Sequence, residues 1–159
     1  MVALALSPAE RKLLEELNRL GVRYLVVGMS AALLQGARGM TEDIDLWFER
    51  TDDPRIGEAV RTAGGVWISG NFGMMPPTIG GGELEDRFDV VTHCHGLGDF
   101  GVELDSAVEV EVDGVVLKVL PLERIIASKR AANREKDRIA LPALETALAV
   151  IADDEGDPK

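Results

Sequence analysis

Asp43 and Asp45 sit either side of Ile44 in a stretch that continues as Leu46-Trp47-Phe48. That apolar run predicts a strand over 43–48. Side chains alternate across a strand, so the two carboxylates share one face while Ile44 and Leu46 take the other. Like charges held that close repel unless a cation lies between them. Oxygen ligation by one or two carboxylates, completed by substrate phosphates, is how Mg2+ is usually held. The pair therefore predicts a phosphate-handling Mg2+ (or Mn2+) site.

A third carboxylate would complete such a site. Asp89 interrupts the apolar strand Arg87-Phe88-Asp89-Val90-Val91, a placement that is costly unless the acid is paired or metal-bound. Glu83, Glu85 and Asp86 on the preceding loop are the alternatives. Upstream, Tyr24-Leu25-Val26-Val27-Gly28 reads as a strand whose turn opens a helix, where unpaired backbone N–H groups can hold a phosphate and Ser30 can add a hydroxyl. These parts suit in-line attack of an acceptor hydroxyl on an α-phosphate, with pyrophosphate leaving. Asp43, Asp45 and Asp89 would hold metal, and Asp89 would help remove the attacking proton. His93-Cys94-His95 places both imidazoles on one face but does not match zinc spacing. His93, on the face of Asp89, either touches substrate or is a satisfied structural histidine. Trp47, Met74 and Met75 read as packing or loop residues.

The elements that carry these residues have their own local signals. Ser7-Pro8-Ala9-Glu10 is a capping box that starts a helix, with Leu13, Leu14, Leu17 and Leu20 at helical spacing and Gly21 placed to end it. Val22–Val27 follows as a strand, then a short helix from Ser30 to about Gln35. Asp52 or Asp53 caps a helix with Pro54 in its first turn, running to Ala63, and Val66–Ser69 is a further short strand. Residues 70–86 lack a period and read as a long loop, a candidate lid. A strand over Arg87–His93 comes next. Asp113-Gly114 between Val108–Val112 and Val115–Val119 is a two-residue hairpin signal. Helices are expected over Leu122–Ala132 and from Glu135 onward, with Pro142 kinking or dividing the last.

With 159 residues and 46% hydrophobic content, the chain reads as one domain over residues 1–152 with an acidic tail over 153–159. No apolar run is long enough to span a bilayer, no secretory signature opens the sequence, and Cys94 has no second cysteine, so a cytoplasmic protein without a membrane partner is expected. A net charge of −11 argues against an extended nucleic-acid footprint. The late basic residues from Lys129 to Arg138 leave room for contact with one RNA end.

Taken together, Tyr24–Gly28, Ala31, Gly36, Thr41–Leu46, Phe88–Thr92, the Asp113-Gly114 hairpin and the run Ile125–Asp137 resemble the nucleotidyltransferase superfamily that includes DNA polymerase beta. Within it, the chain is most similar to bacterial AbiEii-like and other small nucleotidyltransferases. The resemblance implies an α/β (α+β) fold, a mixed β-sheet flanked by helices with further helices at the C-terminus. It also implies transfer of a nucleoside monophosphate from NTP to an acceptor hydroxyl on an RNA end, a protein or a small molecule. It adds Lys129 to the catalytic acids Asp43, Asp45 and Asp89, and it assigns Gly28, Ser30, Arg38, Thr41, Arg134 and Asp137 to binding the nucleotide. An antitoxin partner belongs to AbiEii-type relatives.

Two departures stand out. Met29 follows Gly28 where relatives commonly have Gly or Ser, and Gly39 stands where they commonly have Arg, with Arg38 one position earlier. They motivate a second reading, a nucleotide- or protein-binding module that has kept the fold and lost turnover.

Overall fold

A computed structural model describes residues 5–70 and 76–156. Helix α1, Pro8–Leu20, begins as the capping box requires: Ser7 Oγ accepts the Glu10 N–H and Glu10 Oε1 accepts the Ser7 N–H, both at 3.1 Å. It ends at Gly21, whose φ of 74° is open to glycine at little cost. Leu13, Leu14 and Leu17 are fully buried, each contributing about 1.5–3 kcal/mol to holding α1 on the sheet.

The chain then builds β1 (Tyr24–Val27), α2 (Gly28–Leu34), β2 (Ile44–Phe48), α3 (Pro54–Thr62), β3 (Val66–Ile68), β4 (Thr78–Gly80) and β5 (Phe88–Val91). After these come α4 (Phe100–Asp105), β6 (Val108–Val112), β7 (Val115–Val119), α5 (Leu122–Ala132) and α6 (Glu135–Gly156). The main sheet runs β5-β2-β1-β7-β6. It is mixed: β1 pairs antiparallel with β2 and parallel with β7, β2 parallel with β5, and β6 antiparallel with β7. Helix α1 packs with α3, while α2 and α6 each pack against α5. Asp53 caps α3 by accepting the Arg55 N–H at 2.9 Å, and Asp113 and Gly114 form the tight hairpin with φ of 50° and 83°.

The structure departs from the sequence reading at several points. The expected loop over 70–86 contains β4, paired with β3 in a separate two-stranded sheet, and a 3-10 turn over Gly82–Leu84. Ile79 and Leu84 anchor it, but two apolar residues scattered among glycines give no readable period. Helix α4 was unassigned because it is shorter than two turns; Phe100 secures it by an edge-on contact with Trp47 at 5.3 Å. Strand β5 stops at Val91, short of His93. Pro142 lies within α6 without dividing it, exposed to solvent that can hydrate the carbonyl its ring displaces. Helix α6 also continues through Gly156, so the first acidic residues of the expected tail are helical. Met74 and Met75 lie outside the described residues, and Trp47 is a buried packing residue. Among the described residues no helix is long and apolar enough to cross a membrane.

Candidate active site

The C-terminal end of β1 meets the N-terminal ends of β2 and β5, because β2 runs against β1 and β5 runs with β2. Register pairs Val27 with Asp45 and Asp45 with Asp89, so the two acids lie on adjacent strands at the same level. Asp43 precedes β2 by one residue. Its side chain is within hydrogen-bond reach of Asp89, as is that of Asp45. Ile44, Leu46 and Phe88 bury the opposite face and fix which way the acids point.

Gly28 makes room for this arrangement. Its φ is 65°, and an added Cβ would overlap Asp45 Oδ2 and lie 3.1 Å from Asp45 Cγ. The carboxylate therefore rests on the glycine where α2 begins. Ser30 is fully buried; its hydroxyl donates to Val27 O at 2.9 Å and accepts the Asp45 N–H at 3.1 Å. This residue ties the helix start to Asp45 from behind and does not line the cavity. Thr41 Oγ1 donates to Asp43 O at 2.8 Å and does line it. Arg38 is exposed and outside the cavity wall.

The acids open into a cavity of about 660 Å³ that Lys129, Arg134 and Lys136 also line. Beneath these cations Asp137 is fully buried. It accepts the Arg134 backbone N–H at 3.1 Å and Arg134 Nε at 2.7 Å, and pairs with Lys129 Nζ at 3.4 Å. Burial works to raise the Asp137 pKa, but the Arg134 hydrogen bonds and the Lys129 charge outweigh it and hold the acid below its ordinary range. As the third residue of α6 reaching back to the residue before the helix, Asp137 also caps it. It thus positions Lys129 and Arg134 from below and has no surface of its own in the cavity.

The opposite holds for Asp45. Burial, then the charges of Asp89 and Asp43, push its pKa up to about 7, against the pull of Lys129. Asp89 is raised by its hydrogen bond with Asp43, by burial and by the Asp43 charge, with Lys136 opposing. A bound cation would relieve this mutual repulsion. Among the described residues no three His, Cys, Asp or Glu side chains form a ready-made metal cluster. The all-oxygen donor set suits an open Mg2+ site completed by water and substrate phosphates, and not an all-protein cage.

Several contributors had no sequence signal of their own. Gln35 Nε2 donates to Ala31 O at 3.0 Å and Leu120 O at 2.8 Å, and its Oε1 accepts the Leu122 N–H at 3.0 Å, stapling α2 to the start of α5. Pro76, Pro77 and Thr78 supply a wall from the expected loop. His93 and His95, both marked in the sequence, also line the cavity. The two sequence departures prove to be neighbours: Met29 Cε lies 2.9 Å from where a Cβ at Gly39 would stand. Glycine at 39 leaves the space that the methionine fills.

No protein-family model matches the chain, and no curated protein matches its sequence. Solved structures do match. The crystal structure of ANT(2'')-Ia in complex with adenylyl-2''-tobramycin aligns with 87% of this chain and 86% of that chain, at a TM-score of 0.58 and 16% identity. The solution structure of ANT(2'')-Ia, an antibiotic-resistance factor, aligns with 92% of this chain and 95% of that chain, at 0.52 and 14%. A nucleotidyltransferase-like protein from Paracoccidioides brasiliensis scores 0.46 at 17% identity, over 89% of this chain and 84% of its own. The mixed sheet with its flanking helices is the nucleotidyltransferase fold.

Proposed function

We propose that this chain is a Mg2+-dependent nucleotidyltransferase that moves a nucleoside monophosphate from NTP onto the hydroxyl of a small molecule. The observation that carries the reading is the group Asp43, Asp45 and Asp89, with Asp45 held against Gly28, lining one cavity with Lys129 and Arg134. The bound cation would supply charge neutralisation at the α-phosphate and activation of the attacking oxygen. Asp43 and Asp45 would hold it, with Asp89 on the acceptor side. Asp89, its proton affinity raised by its neighbours, takes the proton of the acceptor hydroxyl. The new bond joins that oxygen to the α-phosphorus; the bond from the α-phosphorus to the bridging oxygen breaks, and pyrophosphate leaves with the electron pair. Lys129 and Arg134, oriented by Asp137, meet the phosphate charge, and Lys136 stands near Asp89.

Among the acceptors open to the sequence, the charge pairing favours a small molecule. Little of the basic run that invited an RNA end is free for one: in this reading Lys129 and Arg134 meet the NTP phosphates, and Arg130 pairs with Glu145 at 2.6 Å. Few of those cations are left to bind a nucleic-acid backbone. The ANT(2'')-Ia complex with adenylyl-2''-tobramycin, a nucleotide-derivatised antibiotic on the same fold, points the same way. The test is transfer from α-labelled NTPs to separate pools of RNA, protein and small hydroxylated metabolites. Label in the small-molecule pool supports the reading. Label confined to RNA or protein would replace the acceptor class and reopen the AbiEii-type toxin reading. NTP and Mg2+ binding without any transfer would favour the binding module that Met29 motivates.

A further inference from the structure

Past Val91 the chain runs over α5 before α4 begins, and this run is fixed at several points. Gly98 N–H donates to Glu103 Oε2 at 2.8 Å, and Glu103, only 2% exposed, is gripped by Arg124 of α5 through two bonds of 2.8 Å. Gly96, with φ of 70°, approaches α5 so closely that an added Cβ would overlap the Ala131 methyl. Leu97 N–H closes a turn on Cys94 O at 3.3 Å. Cys94 is partly buried against the core and lines the cavity along with its neighbours on either side. His93 and His95 stand on this anchored run, their rings edge to face at 5.4 Å, both exposed and both lining the cavity that holds Asp89.

Exposed imidazoles contribute little burial to the fold, and on a backbone anchored beside a cavity two of them are placed to meet a ligand. A neutral imidazole offers one donor and one acceptor, the same pairing that a hydroxyl group presents. Met40, Pro76, Pro77 and Val91 add apolar surface to the same cavity, suited to the C–H face of a saturated ring. We infer that His93 and His95 form the acceptor subsite, holding a sugar or cyclitol by its hydroxyls so that a further hydroxyl reaches Asp89. This rests on the transfer reading of the site.

The protein has two histidines, so proton NMR gives one ring C–H signal for each. The probes are glucose, ribose, myo-inositol, tobramycin and a short RNA, each titrated to high millimolar concentration, or to solubility for the RNA. Titrations run with Mg2+ and α,β-methylene NTP analogues present, and again without them. At least one sugar or cyclitol probe should shift both ring signals. In the double variant His93→Asn/His95→Asn, the Kd for that probe should rise by about tenfold or more, while the Kd of the analogue stays within about twofold. The subsite is overturned if no probe moves the rings, if only the RNA does, or if the variant weakens the analogue as much as the probe. If the analogues do not bind at all, the transfer reading fails separately, and the response of the rings to the sugars still decides the subsite.

Discussion

Asp45 is the residue at which stability and function oppose each other. Its carboxyl titrates near 7, against 3.8 for an ordinary aspartate. The folded state thus holds a proton that the unfolded chain releases. The stability this group provides is fully present below 3.8, falls as the pH rises and is gone above about 7. Asp45→Asn keeps the shape and removes the charge. It should stabilise the metal-free protein at pH 8 by about 1–3 kcal/mol, allowing for residual solvent screening, and by nearly nothing at pH 4. Urea unfolding at the two pH values measures the difference; a variant less stable than wild type at pH 8 would contradict it. Gly28 gives the complementary prediction. A Cβ there meets Asp45 and adds backbone strain at φ of 65°, so Gly28→Ala should cost about 1–3 kcal/mol in thermal unfolding and abolish metal binding read by calorimetry. The acids and this glycine were legible in the sequence because a carboxylate in an apolar strand and a glycine at a strand end each break a pattern. Ser30 and Asp137 were legible as members of the site but not in their roles. A sequence cannot tell a hydroxyl facing phosphate from one tying a helix to a strand, nor a carboxylate in the cavity from one beneath it.

Elements are held in register by polar contacts that bridge distant parts of the chain. The Glu103–Arg124 pair joins α4 to α5 and carries the His93–His95 ledge with it. The Arg124 hydrogen bonds hold the Glu103 pKa below its usual range, so the stability this acid provides is present above its ordinary titration range and is lost as pH falls below it. Arg124→Ala strands a buried carboxylate and should destabilise the protein by about 1–3 kcal/mol at pH 7, the partly exposed arginine being screened by solvent, a loss that shrinks toward pH 3 as Glu103 protonates in either state. Chemical denaturation across pH follows it, and a pH-independent loss would show that packing, not charge, is responsible. Strong local signals made α1, α3 and the β6–β7 hairpin readable: a capping box, an N-cap aspartate, N1 prolines and Asp-Gly each act within a few residues. Strand β4 and helix α4 escaped because their reasons for existing, a β3 partner and the Trp47 ring, lie far away in sequence.

Across the whole molecule, strong negative charge coexists with a cavity lined by both acids and cations. The sheet order makes this juxtaposition: antiparallel β2 brings Asp45 back to Gly28, parallel β5 sets Asp89 beside it, and α5 and α6 return Lys129 and Arg134 from late in the chain. The topology was legible only through resemblance, since strand order leaves no local mark. The measurement that bears most directly on this account is the rate of transfer from α-labelled NTP to hydroxylated small molecules with Mg2+, comparing wild type with Asp43→Asn/Asp45→Asn. The account predicts Mg2+-dependent transfer by wild type and a loss of about 100- to 1,000-fold or more in the variant, which stays folded and melts no lower. Equal transfer by the two proteins, or a folded wild type that binds neither Mg2+ nor NTP, would contradict it.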